Sequence, residues 1–363
     1  MKKIIIILLA IILAIALALF LYWYFVQDNL RELQITRIEN QPITNVIDYD
    51  EWQRIQQDQI KLFNMREKQE ITLFAVGDIM LSRTVERKML EKNDFSYCLS
   101  QVKKVVESAD LAMANLESPL IDGDPILPYT MSFRADPRSA EGLKLAGFDI
   151  MSLPNNHLKN FGDEGLLKTF EYLGKNNIEY VGAGVNKSKM INPLIKEVKG
   201  IKIAFLSYAY GPTEYSATVN RPGMALMDLA QLEQDINSVK DKVDLIIINM
   251  HDGIEYVRQP STHQIDFAHK AIDLGADLII GHHPHVVQTM EIYKDKYIYY
   301  SLGNFVFDQN QSLDVRQGLG IMFHLSRDGV TQVDYHPVII EDLCQPNFVS
   351  GQQADQIIAK LGN

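Results

Sequence analysis

Only two cysteines occur in 363 residues, Cys98 and Cys344, and no CxxC pair is present. A zinc ribbon and a disulfide framework are thereby excluded. The two are expected as unpaired thiols, with a single long-range bridge as the alternative. Dense lysine or arginine clusters are also missing, and the formal net charge is -11. Nucleic-acid phosphates require a basic stripe, so nucleic acid is not the partner. There is no P-loop, no GxSxG and no cysteine in a nucleophile-like setting, which removes an ATP-driven step and acyl transfer through serine or cysteine. Internal repeats and low-complexity tracts are absent outside the N-terminus. What is present, with 47% hydrophobic residues, suffices for one large or two ordinary domains.

After Met1-Lys2-Lys3 the chain is uninterruptedly apolar from Ile4 to Val26, about the length that a bilayer core requires. A cleaved signal peptide has a shorter apolar stretch and a small-residue cleavage site. Here the run closes with Phe20, Tyr22, Trp23, Tyr24 and Phe25, which suit an interfacial belt, and no lipobox-type cysteine follows. Residues 1–26 are read as a single transmembrane anchor. Lys2 and Lys3 place its start inside and the C-terminal portion outside the cell, with Arg31 and Arg37 opposing that bias. Residues 27–70 are polar and mixed in charge, and Trp52, Ile55, Ile60, Leu62 and Phe63 are roughly helically spaced. They read as a juxtamembrane stalk ahead of one domain spanning 71–363.

From residue 71 the pattern changes to short apolar strands alternating with amphipathic stretches. The strands are ITLFAVGD, LAMANLE, FDIMSLPNNH, IEYVGAG, KIAFLSY, DLIIINMH, DLIIGHH and YIYYSLGNF. Helical stretches such as DEGLLKTFEYLGKNN and STHQIDFAHKAIDLG lie between them, the latter opening at the cap residue Ser261. The alternation predicts an α/β fold. Hairpins are expected at Lys199-Gly200 and at Asp328-Gly329, so a mixed sheet or two packed sheets is favoured over a purely parallel one.

Strand after strand ends in a metal-competent or acid-base residue: Asp78, Asn115 and Glu117, Asn155 to His157, His251, then His283 and His285. In open α/β sheets ligands bind beyond the carboxyl ends of the strands, so these positions converge on one crevice. Each alone has a plain structural reading. Asp78 could cap a helix, Glu117 before Pro119 could be a solvated loop residue, and three histidines in four positions could form a satisfied polar cap. Together, carboxylate and amide oxygens with several imidazoles describe a dinuclear site with mixed N and O ligands for zinc, manganese or iron, since no thiolate is offered.

FAVGDIMLSR, ANLESPL, SLPNNH, VGAG, MHDGIEY, GHHPHVVQ and YSLGNFVFD are similar, in that order, to the motif set of the CapA family of poly-gamma-glutamate capsule biosynthesis proteins, itself related to the calcineurin-like metallophosphoesterases. The resemblance implies a two-sheet sandwich flanked by helices, with two metals at the strand ends. It implies Asp78, Glu117, Asn156, His251, His283 and His285 as ligands, and His157 as the residue that protonates a leaving group or orients substrate, beside Asp78. Two departures stand out. Met80 occupies the place of a ligating histidine, which weakens one metal site, and Gly281-His282-His283-Pro284-His285 is one residue longer than the related Gly-His-x-His. Arg134, Glu255 and Asn304 are candidates for substrate binding, Arg134 because guanidinium grips carboxylate or phosphate bidentately. Their plain readings are an ion pair for Arg134 and Glu255, and a turn cap for Asn304.

Three functions follow. The first is an envelope-anchored member of a capsule assembly and export machine, with a metal-dependent hydrolase-like site acting on an anionic polymer such as poly-gamma-glutamate, alongside other membrane subunits. The second is an extracytoplasmic metallophosphoesterase. The third is a non-catalytic export scaffold with a degenerate metal site.

Overall fold

The computed structural model describes residues 69–362 together with Arg54 and Gln57. β1 (Ile71–Ile79), β2 (Leu111–Leu116), β3 (Ile150–Ser152) and β4 (Glu179–Val181) form a parallel ladder. The short β5 (Ala183–Gly184) follows, then a hairpin of β6 (Leu194–Val198) and β7 (Ile201–Ala209), then β8 (Gly223–Met224), which pairs with β5. β9 (Leu245–His251) and β10 (Leu278–His282) continue parallel to β7. β11 (Met290–Tyr293) and β12 (Lys296–Tyr299) form a hairpin on β10, and β13 (Asn304–Val306) crosses back to the end of β1. β14 (Gln317–Ser326), β15 (Gly329–Glu341) and β16 (Gln345–Phe348) complete an antiparallel meander. One mixed sheet runs β16-β15-β14-β1-β2-β3-β4 with β13 on β1, and the other runs β11-β12-β10-β9-β7-β6.

The layering follows from alternation along strands that are buried on both faces. Leu73 and Ala75 of β1 join Phe205, Ile247, Ile280, Ile321 and Phe323 in one core between the sheets. Phe74 and Val76 turn the other way, into a core shared with the helices Arg83–Lys92, Ser139–Leu145 and Gly162–Lys175. On the second sheet Ala204, Ile246, Ile248 and Ile279 face outward onto Leu232, Ile236, Phe267 and Ala271 of the helices Leu229–Val239 and Thr262–Leu274. Side chains alternate across a strand, so these continuous apolar runs require cover on both sides, and the result is helix, sheet, sheet, helix. Burying each such Ile or Phe contributes about 1.5–3 kcal/mol.

The sheets are stitched at their carboxyl ends by the segment after β12. The amide of Asp78 donates to Gly303 O at 3.0 Å, and that of Leu302 donates to Gly281 O at 3.2 Å. A Cβ at Gly77 would lie 1.9 Å from Gly303 O, so only glycine lets the strand end approach this closely.

The mixed α/β architecture with several sheets matches the sequence expectation. Ser261 caps its helix in a reciprocal box with Gln264, and Gly275 closes it at φ 118°. The hairpin at Lys199-Gly200 forms with both residues at positive φ. The second turn sits one residue earlier than expected, at Arg327-Asp328, because Gly329, at φ 136°, already pairs with Ser326. The cysteines are not free thiols: Cys98 and Cys344 form a disulfide, with Cα atoms 5.3 Å apart across 246 residues. The loop entering β16 packs on the short turn Tyr97–Leu99, a proximity no local pattern reveals. Among the described residues no helix is long and apolar enough to cross a membrane. The anchor at 1–26 and nearly all of the stalk at 27–70 lie outside the described residues.

Candidate functional site

Register assembles the site. Asp78 pairs with Asn115 on one side and with Asn304 on the other, while His251 pairs with His282 across β9 and β10. The Asn115 amide donates to Asp78 Oδ1 at 2.8 Å and to Glu117 Oε2 at 3.3 Å, aiming both carboxylates at one space. Asp78, Glu117 and His251, all buried, offer ligand atoms within 4.8 Å of one another; Glu255, His283 and His285 form a second such group. The two groups adjoin, since His285 Nε2 lies 3.7 Å from Glu117 Oε1 and its Nδ1 lies 3.5 Å from Asp78 Oδ2.

Electrostatics show what this space lacks. Burial works to raise Asp78, but His282 and His285 beside it hold its carboxyl well below the ordinary carboxylate range. Burial lifts Glu117 well above its usual value, despite the nearby His285. Burial lowers His251 and His283. Burial also opposes charge on His285, yet Glu117 and Asp78 outweigh it and push the ring up to about 9. Two buried carboxylates thus draw a positive charge into the site. Five buried polar atoms here have no hydrogen-bond partner: Glu117 Oε1, His251 Nδ1, His282 Nδ1, His283 Nδ1 and Asn249 Nδ2. Leaving such an atom unsatisfied costs about 1–3 kcal/mol. Four of the five carry a lone pair suited to a divalent cation, and the oxygen and imidazole set fits manganese, zinc or iron.

His251, His157 and His285 are each held by an asparagine oxygen. His251 Nε2 faces Asn156 Oδ1 at 3.1 Å, so Asn156 enters the site beside a ligand candidate. The backbone amide of Phe133 donates to Asn160 Oδ1 at 2.7 Å, identifying that atom as an acceptor, and His157 Nδ1 donates to it at 2.9 Å. In the neutral ring Nε2 of His157 is therefore bare, and it lies 3.9 Å from Glu117 Oε1. Burial lowers His157 to about 4, so the ring rests neutral near pH 7; to protonate a leaving group it must first take up a proton. Phe133 stacks on it at 3.8 Å. His283 (φ 99°), His285 (φ 59°), Tyr256 (φ 67°) and Arg83 (φ 53°) all have left-handed backbones. Bulky residues adopt this rarely, and such strain gathers at functional sites.

Three substrate candidates take other places. Arg134 is 1% exposed and pairs with Glu86, while Nε and Nη1 donate to the carbonyls of Asp124 (3.1 Å) and Ile121 (2.8 Å). Its donors are spent inside the fold, and it is a buried ion pair, not a clamp. Asn304 is fully buried; its Oδ1 accepts from His285 Nδ1 at 2.9 Å, and its amide donates to Gln309 and to Val315 O. It positions His285. Glu255 stands with His283 and His285 as a ligand candidate. Met80 is fully buried, with its sulfur accepting from the Ser82 amide. His282, which the longer histidine run left open behind His283 and His285, has its Nδ1 3.3 Å from Asp78 Oδ1; sequence reasoning passed over Arg83, although it stands inside a quoted motif.

Residues 72–309 match the family described as bacterial capsule synthesis protein PGA_cap. The capsule biosynthesis protein CapA of Bacillus anthracis is 32% identical over 305 residues, covering 82% of this chain and 74% of that protein. The PGA biosynthesis protein CapA of Bacillus subtilis is 30% identical over 271 residues, covering 74% and 71%. Among solved structures, the NAD nucleotidase of Haemophilus influenzae aligns at 16% identity and a TM-score of 0.46, over 81% of this chain and 62% of that one. Ordered motifs at the strand ends, a family match over most of the domain and relatives at this identity agree: the chain belongs to the bacterial capsule synthesis protein PGA_cap family.

Proposed function

We propose that this protein is a single-pass membrane protein with its α/β domain outside the cell, where a metallophosphoesterase-like centre of two divalent ions acts hydrolytically on an anionic capsule polymer of the poly-gamma-glutamate type. The observation that carries the reading is the set of unpartnered buried atoms on Glu117, His251, His282 and His283 around Asp78. Asp78, Glu117 and His251 would hold one ion and Glu255, His283 and His285 the other. Ions held there supply Lewis-acid polarisation of a substrate oxygen and activation of water. His157, fixed by Asn160 and Phe133, takes up a proton at Nε2 and can return it to a departing group. The hydrogen bonds from Nδ1 to Asn304 and Asn160 orient His285 and His157 with Nε2 facing Glu117.

The apolar segment Ile4–Val26 supports the anchor. The Cys98–Cys344 disulfide supports an extracytoplasmic setting, because such bonds persist in oxidising compartments. Relatives named for capsule and PGA biosynthesis support the polymer. One spanning helix cannot form a conduit, so export requires other membrane subunits. The test is metal stoichiometry of the detergent-solubilised full chain together with product release from γ-linked glutamate oligomers and from aryl phosphates. Two ions per chain and oligomer cleavage are expected, with cleavage falling about 10²–10⁴-fold in His157→Ala while the ions stay. Turnover of aryl phosphates alone, or bound ions without turnover, would overturn the reading in favour of a phosphoesterase or a scaffold respectively.

A further inference from the structure

Beside the metal-competent groups lies an open cavity of about 190 Å³, and its lining contains one basic side chain, Arg83. The residue is 5% exposed, and its Nε has no acceptor. Two of its five N–H donors are placed: Nη2 pairs with Asp308, whose second oxygen accepts from the Thr84 amide, and Nη1 donates to Thr130 O at 3.1 Å. The guanidinium is thus fixed while three N–H donors, that of Nε among them, remain unused. It lies 4.6 Å over the Phe133 ring and 5.7 Å over that of Phe307. Phe133 stacks on His157, and Phe307 sits 4.8 Å from His285, so Arg83 is one aromatic ring from each. Gln309 links the cavity to the site from the other side, accepting from Asn304 and donating to the Tyr256 hydroxyl at 3.1 Å.

The walls divide by chemistry. Gln309, Asn310 and Gln311 bring amides, whereas Pro128, Tyr129 and Met131 bring apolar surface, Met131 at 65% exposure. A cavity well below the roughly 300–1,000 Å³ of sites for drug-sized ligands takes one unit of a chain. We propose that this cavity is a subsite for the substrate unit next to the one held at the carboxylate and histidine groups, with Arg83 the specificity-determining residue that receives the unit's oxyanion. The inference rests on the polymer reading above. Asp308 neutralises much of the Arg83 charge, so selection depends on the unplaced guanidinium N–H groups and the amides jointly, and the apolar wall accommodates a short methylene arm. An oxyanion on such an arm is a side-chain carboxylate; a chain phosphate offers the oxyanion without the arm.

The test is equilibrium dialysis of the manganese-loaded full chain with a γ-linked glutamate tetramer and with inorganic tripolyphosphate. Wild type is compared with Arg83→Lys, which keeps charge but loses Nε–H, and with Met131→Glu, which adds a like charge at the exposed mouth. Losing a charge-assisted hydrogen bond weakens binding about ten- to a hundredfold. That loss for the tetramer in both variants, at unchanged metal content and melting temperature, is the expected result. The same loss confined to tripolyphosphate sustains the subsite but rejects a glutamate polymer. Wild-type affinity for both probes in both variants overturns the subsite and leaves the polymer reading standing; failure of wild type to bind either probe overturns both. If Arg83→Lys does not fold, Met131→Glu decides alone.

Discussion

The two groups of ligand candidates are built differently. Asp78 and His251 belong to strands, and Glu117 directly follows one; all three are buried, with the ladder register fixing two of them. Glu255, His283 and His285 come from the loops after β9 and β10, and two of them are only partly buried. Both histidines of this second group have left-handed backbones. The first group is therefore set by the fold itself. The second is set by loop conformation and by the hydrogen bond that His285 donates to Asn304, so it can be altered without touching the sheets.

Asp78→Asn is expected to have the largest effect. Asp78 accepts from Asn115 and from the His283 amide, and it faces His282 and His285. Removing its charge takes the anion from the centre of both groups, so both ions should be lost in metal analysis of the purified chain. A variant that kept two ions would show that the groups are independent of their shared carboxylate.

Glu255→Gln should act on one group alone. It leaves the strand-end set intact, and the expected stoichiometry is one ion where wild type holds two. Loss of both ions would break the comparison, since loop and strand-end groups would then be one cooperative centre.

The same division governs how much was legible in the sequence. Apolar runs ending in Gly77-Asp78 or in His251 announced buried strands with a polar end, because a run that stops at such a residue leaves it at the sheet edge. Helix Thr262–Leu274 was legible from Ser261 and Gly275, whose roles are local. Arg134 was misread because guanidinium in SFRADP looks the same whether it meets substrate or Glu86; only packing of the helix Arg83–Lys92 against that loop distinguishes them. The Cys98–Cys344 bond depends on contacts between segments 246 residues apart. Asn304 carries no sign in SLGNF that its oxygen fixes His285, since β13 reaches β1 only through the crossing after β12.

Asn304→Ala sharpens the comparison further. The residue touches the second group through His285 but offers that group no ligand atom of its own. Removing such a partner typically weakens metal affinity about 10–100-fold, and titration of the metal-free chain should show this for one ion only. Unchanged affinity with weakened oligomer binding would return Asn304 to a substrate role.

The smallest effect belongs to Met80→Leu. The family resemblance places a ligating histidine at this position, so the sulfur is the natural suspect for a surviving ligand. Its surroundings argue otherwise: Met80 packs among Val85, Leu116 and Phe307 in the outer core, and its sulfur already accepts from the Ser82 amide. Leucine preserves volume and loses only that contact, so stability should change by less than about 1.5 kcal/mol and metal stoichiometry not at all. Loss of one ion in this variant would make the thioether a ligand.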